Sequence, residues 1–164
     1  MVNHENDKII SEFMGLLADK AYPCVAARAA MSRNHLSYLV LGDLRCPADD
    51  RRILKFIYEF TGSFRSAQES FHSAVIIFRG PRIDDEKTFD DLLWAKLQSL
   101  SALDAENFRC DKRVSSDPRD AAFSFSLGEE GFFIIGLHPA SSRPSRRFSY
   151  PALVFNPHEQ FEVL

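Results

Sequence analysis

The chain has 164 residues, of which 45% are hydrophobic and 26% are charged, and its formal net charge is −3. This composition is that of a folded globular domain and excludes a disordered chain, and a pI of about 5.9 argues against nucleic acid as a partner. No apolar run approaches the roughly 20 residues that a membrane-spanning helix needs, so we expect one domain over residues 1–164 and no membrane partner.

The first half of the chain alternates between the patterns typical of helices and strands. Apolar residues three and four apart indicate amphipathic helices, and short apolar runs that end at glycine or proline indicate strands. The predicted elements are a helix through residues 9–17, a short alanine-rich helix over 24–32, a strand over 36–41, a helix over 47–62, a strand over 74–78 and a helix over 84–100.

The second half predicts three further strands. Residues 123–127 alternate between apolar side chains and serine, residues 132–137 form a continuous apolar run, and residues 152–155 form another. The run over 132–137 has no alternation, so we expect a strand covered on both faces, joined to its predecessor by a short hairpin at 128–131. The chain is therefore predicted to be an α+β domain with a mixed, mostly antiparallel sheet of about five strands and flanking helices.

The three cysteines do not form a recognisable site. Cys24, Cys46 and Cys110 are far apart, and none belongs to a CxxC pair. A zinc site or a disulfide framework is therefore not expected, and a reducing, cytoplasmic location is predicted. The first ten residues lack the basic and apolar regions of a signal peptide, which agrees with that location.

One histidine occupies a position that differs from the others. His138 directly follows the apolar run over 132–137 and precedes Pro139, which removes a backbone donor and restricts His138 to an extended conformation. A buried strand that ends in this way can present an imidazole to a pocket. His158, at the start of a predicted helical turn, is a secondary candidate.

A basic turn follows His138. Ser142 and the three arginines Arg143, Arg146 and Arg147 lie within six residues of one another. Carboxylate or phosphate groups would suit these side chains, and a solvated surface turn is the simple alternative. A GxSxG elbow, a P-loop and a GxGxxG motif are all absent, so hydrolase and nucleotide-binding classes are not favoured. A haem is one ligand that suits a single histidine beside such cations, since it needs an axial donor, apolar walls and partners for its propionates.

Several segments together resemble the YqcI/YcgG family from residue 23 onward. They are YPCVAARAA at 22–30, LW at 93–94, SDP at 116–118, FSFSLG at 123–128, FFIIGLHP at 132–139, SR at 142–143, RRF at 146–148 and FNPH at 155–158. The stretch around GLHPxxSRxxRRF is the most specific. Family members usually continue past the Phe161-Glu162 pair, so a C-terminal piece is expected to be missing here.

The resemblance implies a haem-binding oxidoreductase that hydroxylates a guanidine or amine nitrogen of a small, arginine-like molecule. The cofactor would be haem b, with His138 as the catalytic iron ligand and His158 or Cys24 as alternative ligands. Ser142, Arg143, Arg146, Arg147 and Cys24 are the predicted cofactor-binding residues.

A cationic guanidine would also need a carboxylate partner, for which Asp43, Glu59 and Asp117 are candidates that the sequence does not separate. Two other functions stay open. The same pocket could belong to a non-enzymatic haem or small-anion carrier, or the basic turn could bind a protein partner.

Overall fold

A five-stranded sheet organises the computed structural model, which describes residues 2–19, 35–67, 71–121 and 123–161. The strands are β1 (Leu36–Asp43), β2 (Ser73–Gly80), β3 (Phe125–Leu127), β4 (Glu130–Leu137) and β5 (Ala152–Pro157). The described helices are α1 (Val2–Ala18), α2 (Asp50–Ser66) and α3 (Glu86–Asp104), with 3-10 turns at Pro47–Asp49, Pro144–Arg146 and His158–Phe161. The predicted helix over 24–32 lies outside the described residues.

The strand order is β1-β2-β5-β4-β3, and the pairing follows the length of the connections. β1 and β2 pair in parallel because the whole of α2 connects them, whereas the other neighbouring pairs are antiparallel. The predicted α+β architecture with a mixed, mostly antiparallel sheet is thus confirmed.

Alternate residues of β2 and β5 face two separate apolar clusters. Ile76 and Phe155 face α2 and α3, and Val75 and Val154 face α1. The sheet is therefore covered by two helices on one side and by one described helix on the other. None of the described helices is long and apolar enough to cross a bilayer.

The hairpin between β3 and β4 is tighter than its sequence suggested. Only Gly128 and Glu129 lie between the strands, and both have positive φ, of 59° and 63°. Two such residues give the type I′ turn whose twist matches that of paired strands. A side chain at Gly128 would also meet the ring of Tyr58 at 2.9 Å.

One prediction about these elements was wrong, and another holds only in part. α2 does not end at Gly62 but continues to Ser66, because Phe64 stacks on Phe60 and Arg65 pairs with the buried Glu130, and both contacts hold the last turn. The strand over 132–137 has both faces covered except at Phe133, because Phe132 belongs to the cluster under α2 and α3 and Leu137 to the cluster under α1, whereas Phe133 is 39% exposed.

Candidate functional site

An open groove of about 290 Å³ lies between α3, β4 and the basic turn after β4. β3 pairs only with Glu130–Phe132, so among the described residues the rest of β4 has a strand partner on the β5 side alone. The groove therefore opens beside the part of β4 that extends beyond the short strand β3. Its lining residues are Glu86, Phe89, Asp90, Leu93, Ile134, Gly136, His138, Ser141, Ser142, Arg143 and Arg146.

His138 lies at the base of this groove and holds both ends of the basic turn. Its backbone N–H donates to the carbonyl of Arg146 (3.2 Å), and its own carbonyl accepts from the N–H of Phe148 (3.3 Å). These two bonds tie His138 to the far end of the turn that Pro139 begins. The predicted position of His138, at the end of a strand and facing a pocket, is what the structure shows.

The imidazole of His138 is held by packing rather than by hydrogen bonds. It is 5% exposed and stacks on the ring of Phe89, with centroids 4.3 Å apart and planes at 27°. Phe89 can lie this close because Gly136 has no side chain, and a Cβ there would come within 2.6 Å of the Phe89 ring. Within the described structure, the Nδ1 atom of His138 is shielded from solvent and has no hydrogen-bond partner.

Burial sets the charge of this histidine. It lowers the pKa of His138 below the ordinary value of 6.5, and it outweighs the nearby carboxylates of Glu86, Asp90 and Asp85, which act in the opposite direction. The imidazole is therefore neutral at neutral pH. A neutral imidazole with an unpartnered nitrogen is a normal ligand for a transition metal.

The basic turn divides its three arginines between two roles. Arg147 folds back and donates from Nε to the carbonyl of Ser141 (2.7 Å) and from Nη2 to that of Ser142 (3.5 Å). Arg143 and Arg146 line the groove, and their guanidinium groups make no hydrogen bond or ion pair with the described residues. Arg143 and Arg146 are thus the unpaired cations of the turn, and Arg147 stabilises its backbone.

The opposite wall of the groove carries two carboxylates that the sequence analysis did not single out. Glu86 and Asp90 lie one turn apart on α3, and Glu86 Oε1 accepts from the backbone N–H of Ser142 (2.6 Å). This hydrogen bond, more than the nearby charge of Arg143, lowers the pKa of Glu86. The four-residue spacing of Glu86 and Asp90 on a predicted helix was visible in the sequence. No local pattern, however, showed that α3 packs against β4.

The predicted carboxylate candidates lie elsewhere, each beside a cation close in sequence. Asp43 pairs with Arg45 at 2.7 Å, Glu59 lies 3.9 Å from Lys55, and Asp117 pairs with Arg119 at 3.1 Å. None of the three lines the groove.

The alternative iron ligands are not brought to the groove by the described structure. His158 stacks on Phe133, with ring centroids 4.5 Å apart, and is absent from the groove lining. Cys24 lies outside the described residues. Cys46 and Cys110, which are described, are free thiols.

The residues of the groove fit the protein side of a haem site. No group of three or more metal-ligating side chains occurs within the described ranges, but a haem brings its own equatorial ligands and needs only an axial donor. His138 lines the groove as a neutral imidazole, Arg143 and Arg146 offer unpaired cations, and Leu93 and Ile134 are apolar. The volume of about 290 Å³ is just below the roughly 300–1,000 Å³ typical of small-molecule pockets.

Comparisons with known proteins agree on one family. The YqcI/YcgG family model matches residues 12–164. A protein of Bacillus subtilis (strain 168) described as "Uncharacterized protein YqcI" is 27% identical over 169 residues, which cover 99% of this chain. The chain spans 62% of the length of that relative. No solved structure matches the chain.

Proposed function

The chain belongs to the YqcI/YcgG family, and we propose that it is a haem-binding oxidoreductase that hydroxylates a nitrogen of a small guanidine or amine. One observation supports this proposal above all others. The buried imidazole of His138, with Nδ1 unpartnered, shares a groove with two arginines that have no ionic partner among the described residues.

In this proposal His138 would hold the iron of haem b. Burial keeps its imidazole neutral, and Phe89 fixes the plane of the ring, so little rotational freedom is lost when the ligand bond forms. When bound, the haem would supply the oxidising chemistry, in which an N–H is replaced by N–OH. The oxidant would be dioxygen with two electrons and two protons, or hydrogen peroxide, and in both cases one oxygen atom enters the product and the other leaves as water.

Arg143 and Arg146 are the proposed partners of the haem propionates. Their position on the groove wall and their lack of other partners leave both guanidinium groups available for charge-assisted hydrogen bonds. Arg147 would act through the turn, because its hydrogen bonds to the carbonyls of Ser141 and Ser142 hold the backbone that carries the other two.

Glu86 and Asp90 are the proposed partners of a cationic substrate. Both carboxylates line the α3 wall of the groove, and Glu86 also accepts a hydrogen bond from the N–H of Ser142 in the basic turn. A guanidinium group is planar and presents several N–H donors, which suits recognition by carboxylates. They replace Asp43, Glu59 and Asp117 as candidates for this role. A cytoplasmic location, inferred from cysteine usage, completes the proposal.

The absorption spectrum of the protein titrated with ferric haem tests the binding step. We expect saturation at one haem per chain with a shifted Soret band, and we expect His138→Ala to abolish or strongly shift that band. His4→Ala, at an exposed position of α1, is the control and should match the wild type. An unchanged spectrum and affinity in His138→Ala would move the ligand to His158 or Cys24, and a wild type that binds no haem would refute the proposal.

A non-enzymatic haem or small-anion carrier is the second candidate. It is favoured by the modest volume of the groove and by the two unpaired arginines, which would suit a small anion directly. Mass spectrometry separates the two functions. The haem-loaded protein, supplied with oxidant and a panel of guanidines and amines, should yield a product with one added oxygen, and the yield should depend on His138. Binding without such a product would favour the carrier.

A further inference from the structure

A second, apolar groove of about 220 Å³ continues from the first along the same helix and strand. Leu93 and Ile134 line both grooves, so the two grooves adjoin along α3 and β4. The rest of the second groove is mainly aromatic and includes Trp94, Phe123, Phe125 and Phe132. The proposed function assigns no role to the residues of this second groove.

Polarity changes in one direction along the two grooves. Glu86 lies at the His138 end of α3, and Trp94 lies eight residues further on, which is roughly 12 Å along a helix axis. On the facing strand, His138 and Phe132 mark the same two ends. A ligand that lies along both grooves would meet charged groups at one end and aromatic rings at the other.

The exposure of Trp94 is consistent with a ligand site in the second groove. Its side chain is 44% exposed and lies at the rim, with its ring centroid 6.4 Å from that of Phe123, while Phe125 and Phe132 are buried beneath. A large aromatic side chain gains most of its stabilising effect when its surface is removed from water. A half-exposed tryptophan over a concave aromatic floor therefore favours a flat apolar ligand.

We infer that the Trp94 groove, lined by Trp94, Phe123, Phe125 and Phe132, receives the apolar, vinyl-bearing edge of the tetrapyrrole while the propionates lie at Arg143 and Arg146. The inference rests on the proposed haem function and adds the orientation of the ring and the residues that select it. This orientation matches the polarity of the groove, because protohaem carries charged propionates on one edge and apolar vinyl groups on the opposite edge. Trp94 is in this account a residue that determines cofactor specificity.

The test compares two haems in two proteins by Soret titration. Ferric protoporphyrin IX carries two vinyl groups, which deuterohaem lacks. We expect Trp94→Ala to weaken protohaem binding by about tenfold and to weaken deuterohaem binding much less, so that the wild-type preference for protohaem shrinks. Trp94→Phe should restore most of that preference. Phe108→Ala is the matched control, since Phe108 is 37% exposed and lies outside both groove halves.

A second measurement uses the fact that Trp94 is the one tryptophan of the chain. Its indole N–H gives a single resonance, which the ring current of diamagnetic zinc protoporphyrin IX should displace in the wild type. Equal preference for protohaem in the wild type and Trp94→Ala, or an indole resonance that does not move in the saturated complex, would overturn the inference alone. A wild type that binds neither porphyrin would instead refute the proposed function on which the inference rests.

Discussion

Two charged regions of this molecule use arginine in opposite ways. In the first, which we call the Arg113 network, Arg113 contacts Asp111 (2.8 Å), Glu130 (3.3 Å) and Glu159 (3.1 Å), and Arg65 adds a contact to Glu130 (2.9 Å). Burial raises the pKa of Asp111, but hydrogen bonds from Arg113 and from the N–H of Gly131 lower it to about 2. This network fastens the long connection after α3 to the β3–β4 hairpin.

In the His138 groove the corresponding contacts are missing. Arg143 and Arg146 have no ion pair with the described residues, and the Nδ1 atom of His138 has no hydrogen-bond partner there. Only Nδ1 of His138 departs here from the rule that buried polar atoms are satisfied, whereas Arg143 is exposed and Arg146 is half-buried, so both cations can contact a ligand without losing an existing ion pair. The comparison teaches that the paired arginines maintain the fold and that the unpaired ones remain available for binding.

The largest expected effect is on the stability of the Arg113 network. Arg113→Ala leaves the buried carboxylates of Asp111 and Glu130 short of a partner, so we expect a loss of about 3 kcal/mol in the free energy of unfolding. Arg143→Ala removes no described ion pair and should stay within about 0.5 kcal/mol of the wild type. Urea denaturation of both variants measures this difference, and equal losses would erase the distinction between the two regions.

A smaller effect is expected from adding a methyl group at Gly136. The new Cβ would lie 2.6 Å from the Phe89 ring, so the ring must move and its stacking on His138 is lost. We expect Gly136→Ala to cost roughly 1–3 kcal/mol and to weaken haem binding. Gly42→Ala is the matched strand control, because nothing lies within 4 Å of a Cβ there. A Gly136→Ala variant that behaves like Gly42→Ala would show that Phe89 does not position His138.

The smallest effect is a pH dependence caused by His138. Its pKa is lower in the folded than in the unfolded protein, so the unfolded state binds more protons once the pH falls below about 6.5. Its contribution to stability is complete above that pH and is lost as the pH falls toward the folded pKa. Chemical denaturation between pH 7.5 and 5 should therefore show a shallower decline for His138→Gln than for the wild type. Parallel curves would mean that His138 titrates normally.

The sequence was sufficient for features that depend on local pattern. The strands, the place of His138 after an apolar run and the nearby cations all follow from residues close to one another in the chain. The sequence did not predict contacts between residues that are far apart in the chain. The partnership of α3 with β4 brings Glu86 and Asp90 to the groove, and the contact of Phe89 with Gly136 has no local signature. Likewise, Arg143 and Arg147 are equivalent in sequence, and only the fold of the turn separates them.

The most direct test of this account is the haem affinity of matched arginine variants. Replacing Arg143 or Arg146 with Leu removes a charge-assisted contact worth roughly 1.5–3 kcal/mol, which corresponds to a ten- to hundredfold weaker affinity. The unfolding midpoint should not change. Arg119→Leu is the control, because Arg119 is exposed and pairs with Asp117 away from the groove. We predict that the two groove variants lose affinity and that Arg119→Leu does not. Equal affinity in all of these proteins would contradict the assignment of the unpaired arginines to a ligand.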